Sequence, residues 1–262
     1  MISYPNAKLN IGLDVIRKRP DGFHDLESLF IPYTGLTDTL EITESRKFAI
    51  EIVKDGRVMD GTAPGEWDPA KDLCVKAYQL LRKDFDLPAV KISLHKNIPV
   101  GAGLGGGSAD AAFALRMLDE MFDLYMPDVM LEDYAAQIGS DCPFFIHNRP
   151  MFVTGRGEVL EEYDLPQLQE YQIKVVTPQG VSVSTKEAYA GIVPAVPATP
   201  LKELLQQPVE HWKTIGVKND FEKTVFAVYP QLQQMKDELY ADGAVYASMS
   251  GSGSALFGLK PF

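Results

Sequence analysis

The sequence predicts a mixed α and β protein of two domains, and three observations carry that reading. Strand and helix patterns alternate through the first half of the chain. The run Pro99-Val100-Gly101-Ala102-Gly103-Leu104-Gly105-Gly106-Gly107-Ser108-Ala109 sets five glycines between a strand pattern and a helix pattern. After the turn around Gly155-Arg156-Gly157-Glu158 a new strand pattern opens at Tyr171, which puts a boundary near Asp164. A chain of 262 residues can bury two modest cores, so the expected domains are residues 1–164 and 165–262.

In the first half, Leu9 to Ile16, Thr39 to Thr43 and Phe48 to Val53 have strand composition, and a helix runs from Asp72 to about Lys83 with Cys74, Ala77, Leu80 and Leu81 inward. Val90-Lys91-Ile92-Ser93-Leu94-His95-Lys96 alternates apolar and polar residues as a half-buried strand does. Ser108 is placed to cap a helix whose apolar face is Ala111, Leu115, Leu118 and Phe122. A further helical segment, Leu131 to Ile138, leads into Gly139-Ser140-Asp141-Cys142-Pro143-Phe144-Phe145.

The second half repeats neither the glycine loop nor its context. Tyr171 to Val176 reads as a strand, and the Pro-rich stretch Val193 to Pro200 as an exposed loop, because proline fixes φ and removes donors. Helical patterns cover Leu201 to Leu205 and Asp220 to Tyr240, the latter broken at Pro230. The chain closes with strand-like Ala244 to Ser248, the small-residue turn Met249-Ser250-Gly251-Ser252-Gly253-Ser254, and strand-like Ala255 to Leu259. That turn is either a second wall of a binding site or an ordinary hairpin turn.

A strand, a glycine loop and a helix in succession form a phosphate-binding arrangement. Glycine admits φ > 0 and leaves main-chain N–H groups open to an anion, while the helix points its positive end at it. The lysine motif G-x-x-x-x-G-K-[ST] is absent, since Gly107 and Ser108 follow Gly106. Gly101, Gly103 and Gly106 satisfy G-x-G-x-x-G, but a dinucleotide fold needs a second strand ending in an acidic residue about twenty positions on. Asp119, Glu120 and Asp123 there still carry a helical pattern.

With 25 basic and 36 acidic residues the net charge is −11, and no dense basic run interrupts it, which disfavours nucleic-acid and anionic-membrane surfaces. An anionic small molecule would need a local cationic pocket, for which Lys8 and Lys96 are candidates. Cys74 and Cys142 make no CxxC pair, and His24, His95, His147 and His211 have no zinc-ligand spacing. The N-terminus lacks signal-peptide character and no apolar run reaches membrane-spanning length, so a cytoplasmic protein without an obligate protein partner is expected.

Five segments together resemble the GHMP small-molecule kinases: Ala7-Lys8-Leu9-Asn10-Ile11-Gly12-Leu13, Arg19-Pro20-Asp21-Gly22-Phe23-His24-Asp25-Leu26, the loop from Ile98 to Ala112, Gly139 to Phe145, and Met249 to Ser254. The resemblance spans nearly the whole chain. It implies the α+β two-domain GHMP kinase fold, with an N-terminal α/β domain, a C-terminal ferredoxin-like α+β domain and a cleft between them. It further implies ATP-dependent phosphorylation of the 2-hydroxyl of a cytidine diphosphate-linked methylerythritol in non-mevalonate isoprenoid synthesis, with ATP phosphates over Pro99 to Ala109. Two positions depart from the usual pattern, Ala109 where many relatives have serine and Phe23 where tyrosine is common.

Residue roles follow from the resemblance. Asp141 takes the place of the catalytic aspartate, a base for the accepting hydroxyl, although on local sequence an Asp after Gly-Ser is a turn or cap residue. Lys8 would pair with Asp141 and stabilise the developing alkoxide or γ-phosphate; by local sequence it is a solvated strand-edge lysine. Asn10, on the same strand face as Lys8, could hydrogen-bond the substrate. Phe23 would stack on cytosine and His24 bond its edge, against the local readings of a core phenylalanine and a satisfied loop histidine. Ser108 could ligate Mg²⁺ or the β-phosphate, or serve only as the helix cap. Two alternatives stay open. One is a GHMP kinase for a sugar, homoserine or mevalonate-type alcohol, which need not carry Asp21-Gly22-Phe23-His24. The other is a catalytically silent nucleotide-binding regulator, against which intact Lys8 and Asp141 argue.

Overall fold

The computed structural model describes residues 1–59, 61 and 68–262. In chain order its strands are β1 (Ile2–Ser3), β2 (Asn6–Lys18), β3 (His24–Thr37), β4 (Thr39–Glu44), β5 (Ala49–Lys54), β6 (Arg57–Met59), β7 (Val90–Lys96), β8 (Met151–Thr154), β9 (Val159–Glu162), β10 (Tyr171–Val176), β11 (Tyr246–Met249) and β12 (Leu256–Pro261). Its α-helices are α1 (Leu73–Asp84), α2 (Gly106–Met121), α3 (Asp128–Ile138), α4 (Cys142–His147), α5 (Thr185–Ala190), α6 (Leu201–Leu205), α7 (Val209–Ile215), α8 (Phe221–Val228) and α9 (Pro230–Ala241). The chain forms two compact units. The first comprises Met1–Ala7, Pro32–Val100 and Gly105–Arg149; the second comprises Lys8–Ile31, Gly101–Leu104 and Pro150–Phe262. The units are thus woven from several segments, and Asp164 falls inside the second.

In the first unit, β1, β4, β7, β5 and β6 make one sheet in that order. The alternation in β7 works as read: Val90, Ile92 and Leu94 are fully buried. β7 pairs antiparallel with β4, Thr39 opposite His95, and parallel with β5, Ala49 opposite Lys91. That parallel pairing requires a crossover, which α1 supplies. Asp72 caps α1, its side chain accepting from the Cys74 N–H at 2.8 Å, and Cys74, Ala77, Tyr78 and Leu81 form the buried stripe. The inward face of α2 is unusually small: Ala109, Ala111, Ala112 and Ala114 are buried alongside Leu115 and Leu118, which lets α1 and α4 pack close to it. Phe122, expected on that face, is instead the C-cap and half-buried.

Most of a β2-β3-β8-β9 sheet and all of a β10-β12-β11 sheet belong to the second unit. β12 pairs antiparallel with β10, Tyr171 opposite Pro261, and with β11, Tyr246 opposite Leu259. Leu13, Val15, Phe221, Val225, Leu232, Leu239, Met249 and Leu256 form a buried core there. Pro230 does more than kink one helix. It stands at the first position of α9, where its missing N–H is harmless, and leaves α8 and α9 as separate helices. The stretch from Val193 to Pro200 has no regular structure, and Val193 and Val196 are largely exposed, as proline content predicts.

Candidate active site

The glycine run joins β7 to α2, and four of its five glycines stand where the backbone or its neighbours leave no room for a side chain. Gly101, Gly103 and Gly105 have φ of +71°, +76° and +71°, a region that L side chains resist. Gly106 is helical, but a Cβ there would lie 2.8 Å from Ile98 Cγ2. The helix cap is a correction to the sequence reading: Gly105, left-handed, is the N-cap of α2, and Ser108 is the third helical residue rather than the cap. The first intrahelical bond runs from the Ala109 N–H to the Gly105 carbonyl at 2.9 Å. The N–H groups of Gly106, Gly107 and Ser108 therefore have no intrahelical acceptor. No side chain caps them and no acidic residue stands in the first turn, so this end of α2 carries the positive field that an anion seeks.

In the second unit, Gly101 to Leu104 are stitched to the terminal turn. The Ser250 hydroxyl donates to the Gly103 carbonyl at 2.9 Å, and the Ala255 N–H donates to the Ala102 carbonyl at 3.0 Å. Contact is so close that a Cβ on Gly103 would sit 2.1 Å from the Ser250 carbonyl oxygen. Asn219, from the segment before α8, holds the turn from behind, its amide donating to the Met249 and Gly251 carbonyls at 2.8 Å each. The turn is thus a fixed wall of the glycine loop, not a free hairpin tip.

Lys8 enters the same network. Its N–H donates to the Leu104 carbonyl at 2.9 Å, and its ammonium donates to Asn10 Oδ1 and lies 4.4 Å from the centre of the Phe30 ring. Lys8 is only 3% exposed, which rules out the solvated strand-edge reading. Asn10 is held in turn: its amide donates to Ser28 Oγ at 3.0 Å, and Ser28 Oγ donates to the Gly12 carbonyl at 2.6 Å. Ser250 Oγ is a further 3.4 Å from Asn10 Oδ1. Asn10 therefore aims the lysine.

Asp141 lies in the first unit, half-buried at the N-cap position of α4, with φ −86° and ψ −10°. Pro143 sits in the first turn of that helix, where proline is tolerated. Lys76 holds the approach, its ammonium donating to the Gln137 and Ile138 carbonyls at 2.5 Å and 3.1 Å and so satisfying the end of α3. Next to Asp141, the Cys142 thiol is buried. Burial pushes its pKa up to about 12, which makes it an inert packing group.

Lys96 is the second correction. Its side chain is 1% exposed and forms ion pairs with Asp38 and, at 2.5 Å, Asp110. Asp38 also accepts the Asn97 and Ile98 N–H groups at 2.5 Å and 2.8 Å. Burial alone would depress the ammonium pKa, but Asp110 and Asp38 outweigh it and raise it. Burial drives Asp110 well above the ordinary carboxylate range, and its Oδ1 is buried without a hydrogen-bond partner. A buried cation already held by Asp38 and Asp110 in the core of the first unit is not open to a substrate.

Phe23 and His24 lie in the second unit and differ in setting. Phe23 is 56% exposed, so it is not a core residue, and the Arg156 guanidinium lies 5.0 Å from its ring centre. His24 stacks on Tyr189, centroids 4.7 Å apart, and Tyr189 meets Phe221 edge-on. Burial, aided by Lys18, lowers the His24 pKa, so its ring is neutral at pH 7 and offers one donor and one acceptor.

Comparison with known proteins settles the family. A model of the GHMP kinases N terminal domain matches residues 72–149, and one of the GHMP kinases C terminal domain matches residues 201–261. The 4-diphosphocytidyl-2-C-methyl-D-erythritol kinase of Bacteroides fragilis is 49% identical over 99% of this chain and 92% of its own length. The chain belongs to the GHMP kinases, in the family of the 4-diphosphocytidyl-2-C-methyl-D-erythritol kinases. The kinase of the same name from Azobacteroides pseudotrichonymphae is 45% identical over 100% of this chain and 95% of its own length. A solved 4-(cytidine 5'-diphospho)-2C-methyl-D-erythritol kinase superposes with a TM-score of 0.78 at 31% identity, covering 99% of this chain and 90% of that one. A homoserine kinase from Cytophaga hutchinsonii, at TM-score 0.65 and 16% identity over 98% of this chain and 85% of that one, shares the fold. In this GHMP kinase, Ser28, Asn219, Tyr189 and Arg156 were not singled out by sequence reasoning. Each acts through a contact distant in sequence, and only the pattern of small residues at Met249 to Ser254 hinted at one of those contacts.

Proposed function

We propose that the chain transfers the γ-phosphoryl group of ATP to the 2-hydroxyl of 4-diphosphocytidyl-2-C-methyl-D-erythritol. The observation that carries the phosphoryl-transfer half is the N-terminus of α2, uncapped by any side chain and preceded by three left-handed glycines. The acceptor half rests on the relatives' names and on an exposed Phe23 beside a neutral His24, an aromatic face and a polar edge suited to a pyrimidine.

Phosphoryl transfer demands positioning and charge stabilisation. The acceptor oxygen forms the new bond to the γ-phosphorus as the bond to ADP breaks, and the hydroxyl proton passes to the Asp141 carboxylate. Lys8, aimed by Asn10 and Ser28, supplies positive charge to the oxygen that loses the proton. Backbone N–H groups of Gly106, Gly107 and Ser108 donate to phosphate oxygens. Among the described residues no group of three His, Cys, Asp or Glu side chains could hold a metal. Mg²⁺ keeps waters and takes few protein ligands when phosphates supply the rest. Ser108 would hold the Mg²⁺, which when bound neutralises phosphate charge.

Asp141→Asn preserves shape and removes the base. General-base catalysis contributes about 10²–10⁴-fold, so kcat falls by that order while ATP binding persists. If both residues serve the same step, the loss on combining Asp141→Asn with Lys8→Met is smaller than the sum of the two free energies. Near-wild-type turnover by Asp141→Asn would reduce Asp141 to a turn residue.

A further inference from the structure

Phe23 is a large aromatic side chain left in solvent, and its surroundings are built around holding it there. Its N–H donates to Asp21 Oδ1 at 3.1 Å, and Asp21 Oδ2 accepts from Arg19 Nε at 3.1 Å. On the ring, 5.0 Å from its centre, lies the Arg156 guanidinium, which comes from the turn between β8 and β9. That turn is specified closely. Gly155 and Gly157 have φ of +69° and +117°, Glu158 accepts the Arg156 N–H at 2.5 Å, and Glu158 Oε1 lies 3.4 Å from Arg156 Nε. The Gly155 carbonyl also receives the Leu26 N–H at 2.8 Å, tying the turn to the segment that carries Phe23.

We infer that Arg156 is a positioning residue for nucleoside recognition, its guanidinium backing the Phe23 ring so that the opposite face is presented, already ordered, to the pyrimidine of the acceptor. This rests on the proposed stacking of cytosine on Phe23. A guanidinium is planar, weakly hydrated and suited to stacking, whereas an ammonium is a hydrated point charge. An exposed ring held in one orientation loses less freedom when a base stacks on it.

The test is calorimetric titration of the whole chain with cytidine 5'-diphosphate, free of turnover. Arg156→Met weakens binding about 2- to 5-fold, as expected for an exposed cation–π contact, and Arg156→Lys restores only part of the loss. Both leave the KM for ATP unchanged. In a Phe23→Leu background, which itself binds the probe more weakly, Arg156→Met has no further effect if it acts through the ring. An equal loss in both backgrounds overturns the inference, since Arg156 would then attract the diphosphate directly. Wild-type affinity in Arg156→Met, with binding weakened in Phe23→Leu, overturns the inference alone. Wild-type affinity in Phe23→Leu overturns the stacking reading and this inference with it.

Discussion

Asp14 shows how a single residue couples the fold to pH. It is 3% exposed on β2, and burial, followed by the charge of Asp220, raises its pKa to about 6 against the opposing pull of Lys218 at 3.6 Å. A carboxyl whose folded pKa is raised binds its proton more tightly in the native state. Its contribution to stability is complete below the unfolded pKa and is lost as pH climbs through about 6. Asp14→Asn should therefore flatten the decline in stability between about pH 4 and pH 6 and stabilise the chain at pH 8 by about 1–3 kcal/mol, since tenfold tighter proton binding corresponds to about 1.4 kcal/mol. Urea unfolding across that range checks it, and an unchanged slope would contradict it. Local sequence offered no hint of this, because Asp220 and Lys218 reach Asp14 only through the fold. The same limit explains Lys96, whose two carboxylates come from the link between β3 and β4 and from α2, and Ser108, whose capping character was overruled by a left-handed glycine three residues earlier.

At the scale of elements, regular patterns were readable and compensated ones were not. β7, β10 and α6 have the bounds their patterns suggested, because alternation or helical spacing there meets no competing signal. β3 was missed although it is 14 residues long. Its Pro32 and Gly35 are residues that weaken a strand, while its pairing with β8 at Ser28 to Phe30 depends on residues distant in sequence. α4 was hidden by its proline, which marks a helix start as readily as a break. The glycine run was legible as a loop, but the separate duty of each glycine was not, and this yields a paired prediction. Gly103→Ala places a methyl group against the Ser250 carbonyl at positive φ and should lower stability by about 2–4 kcal/mol. Gly107 is helical, and its nearest neighbour would be Leu73 Cδ1 at 3.7 Å, so Gly107→Ala should keep or raise the melting temperature. It should nevertheless raise the KM for ATP about tenfold, a loss of roughly 1.4 kcal/mol, because the methyl group crowds the phosphate. Thermal unfolding and ATP titration separate the two effects; an unaltered KM in Gly107→Ala would remove that glycine from the phosphate site.

For the molecule as a whole, a chain of net charge −11 must handle two polyphosphates. On the proposed reading it would do so with backbone N–H groups at the start of α2 and with Lys8, aimed by Asn10; the other buried lysine among the described residues, Lys96, is held by Asp38 and Asp110 within the first unit. Local fields of that kind act over a few ångströms and leave the average charge, which repels nucleic acid, unchanged. The two-domain GHMP fold was legible from the five motifs, but the weaving of Lys8–Ile31 and Gly101–Leu104 into the second unit was not, since no compositional break marks either segment. The central claim is the identity of the acceptor. It is tested most directly by incubating the purified chain with ATP and Mg²⁺ and, in separate reactions, 4-diphosphocytidyl-2-C-methyl-D-erythritol, homoserine, mevalonate and galactose, with phosphorus NMR to locate the new phosphate. Phosphorylation of the cytidine compound alone, at its 2-hydroxyl and slowed about 10²–10⁴-fold in Asp141→Asn, is the predicted result; transfer to another alcohol in preference, or to none, would contradict it.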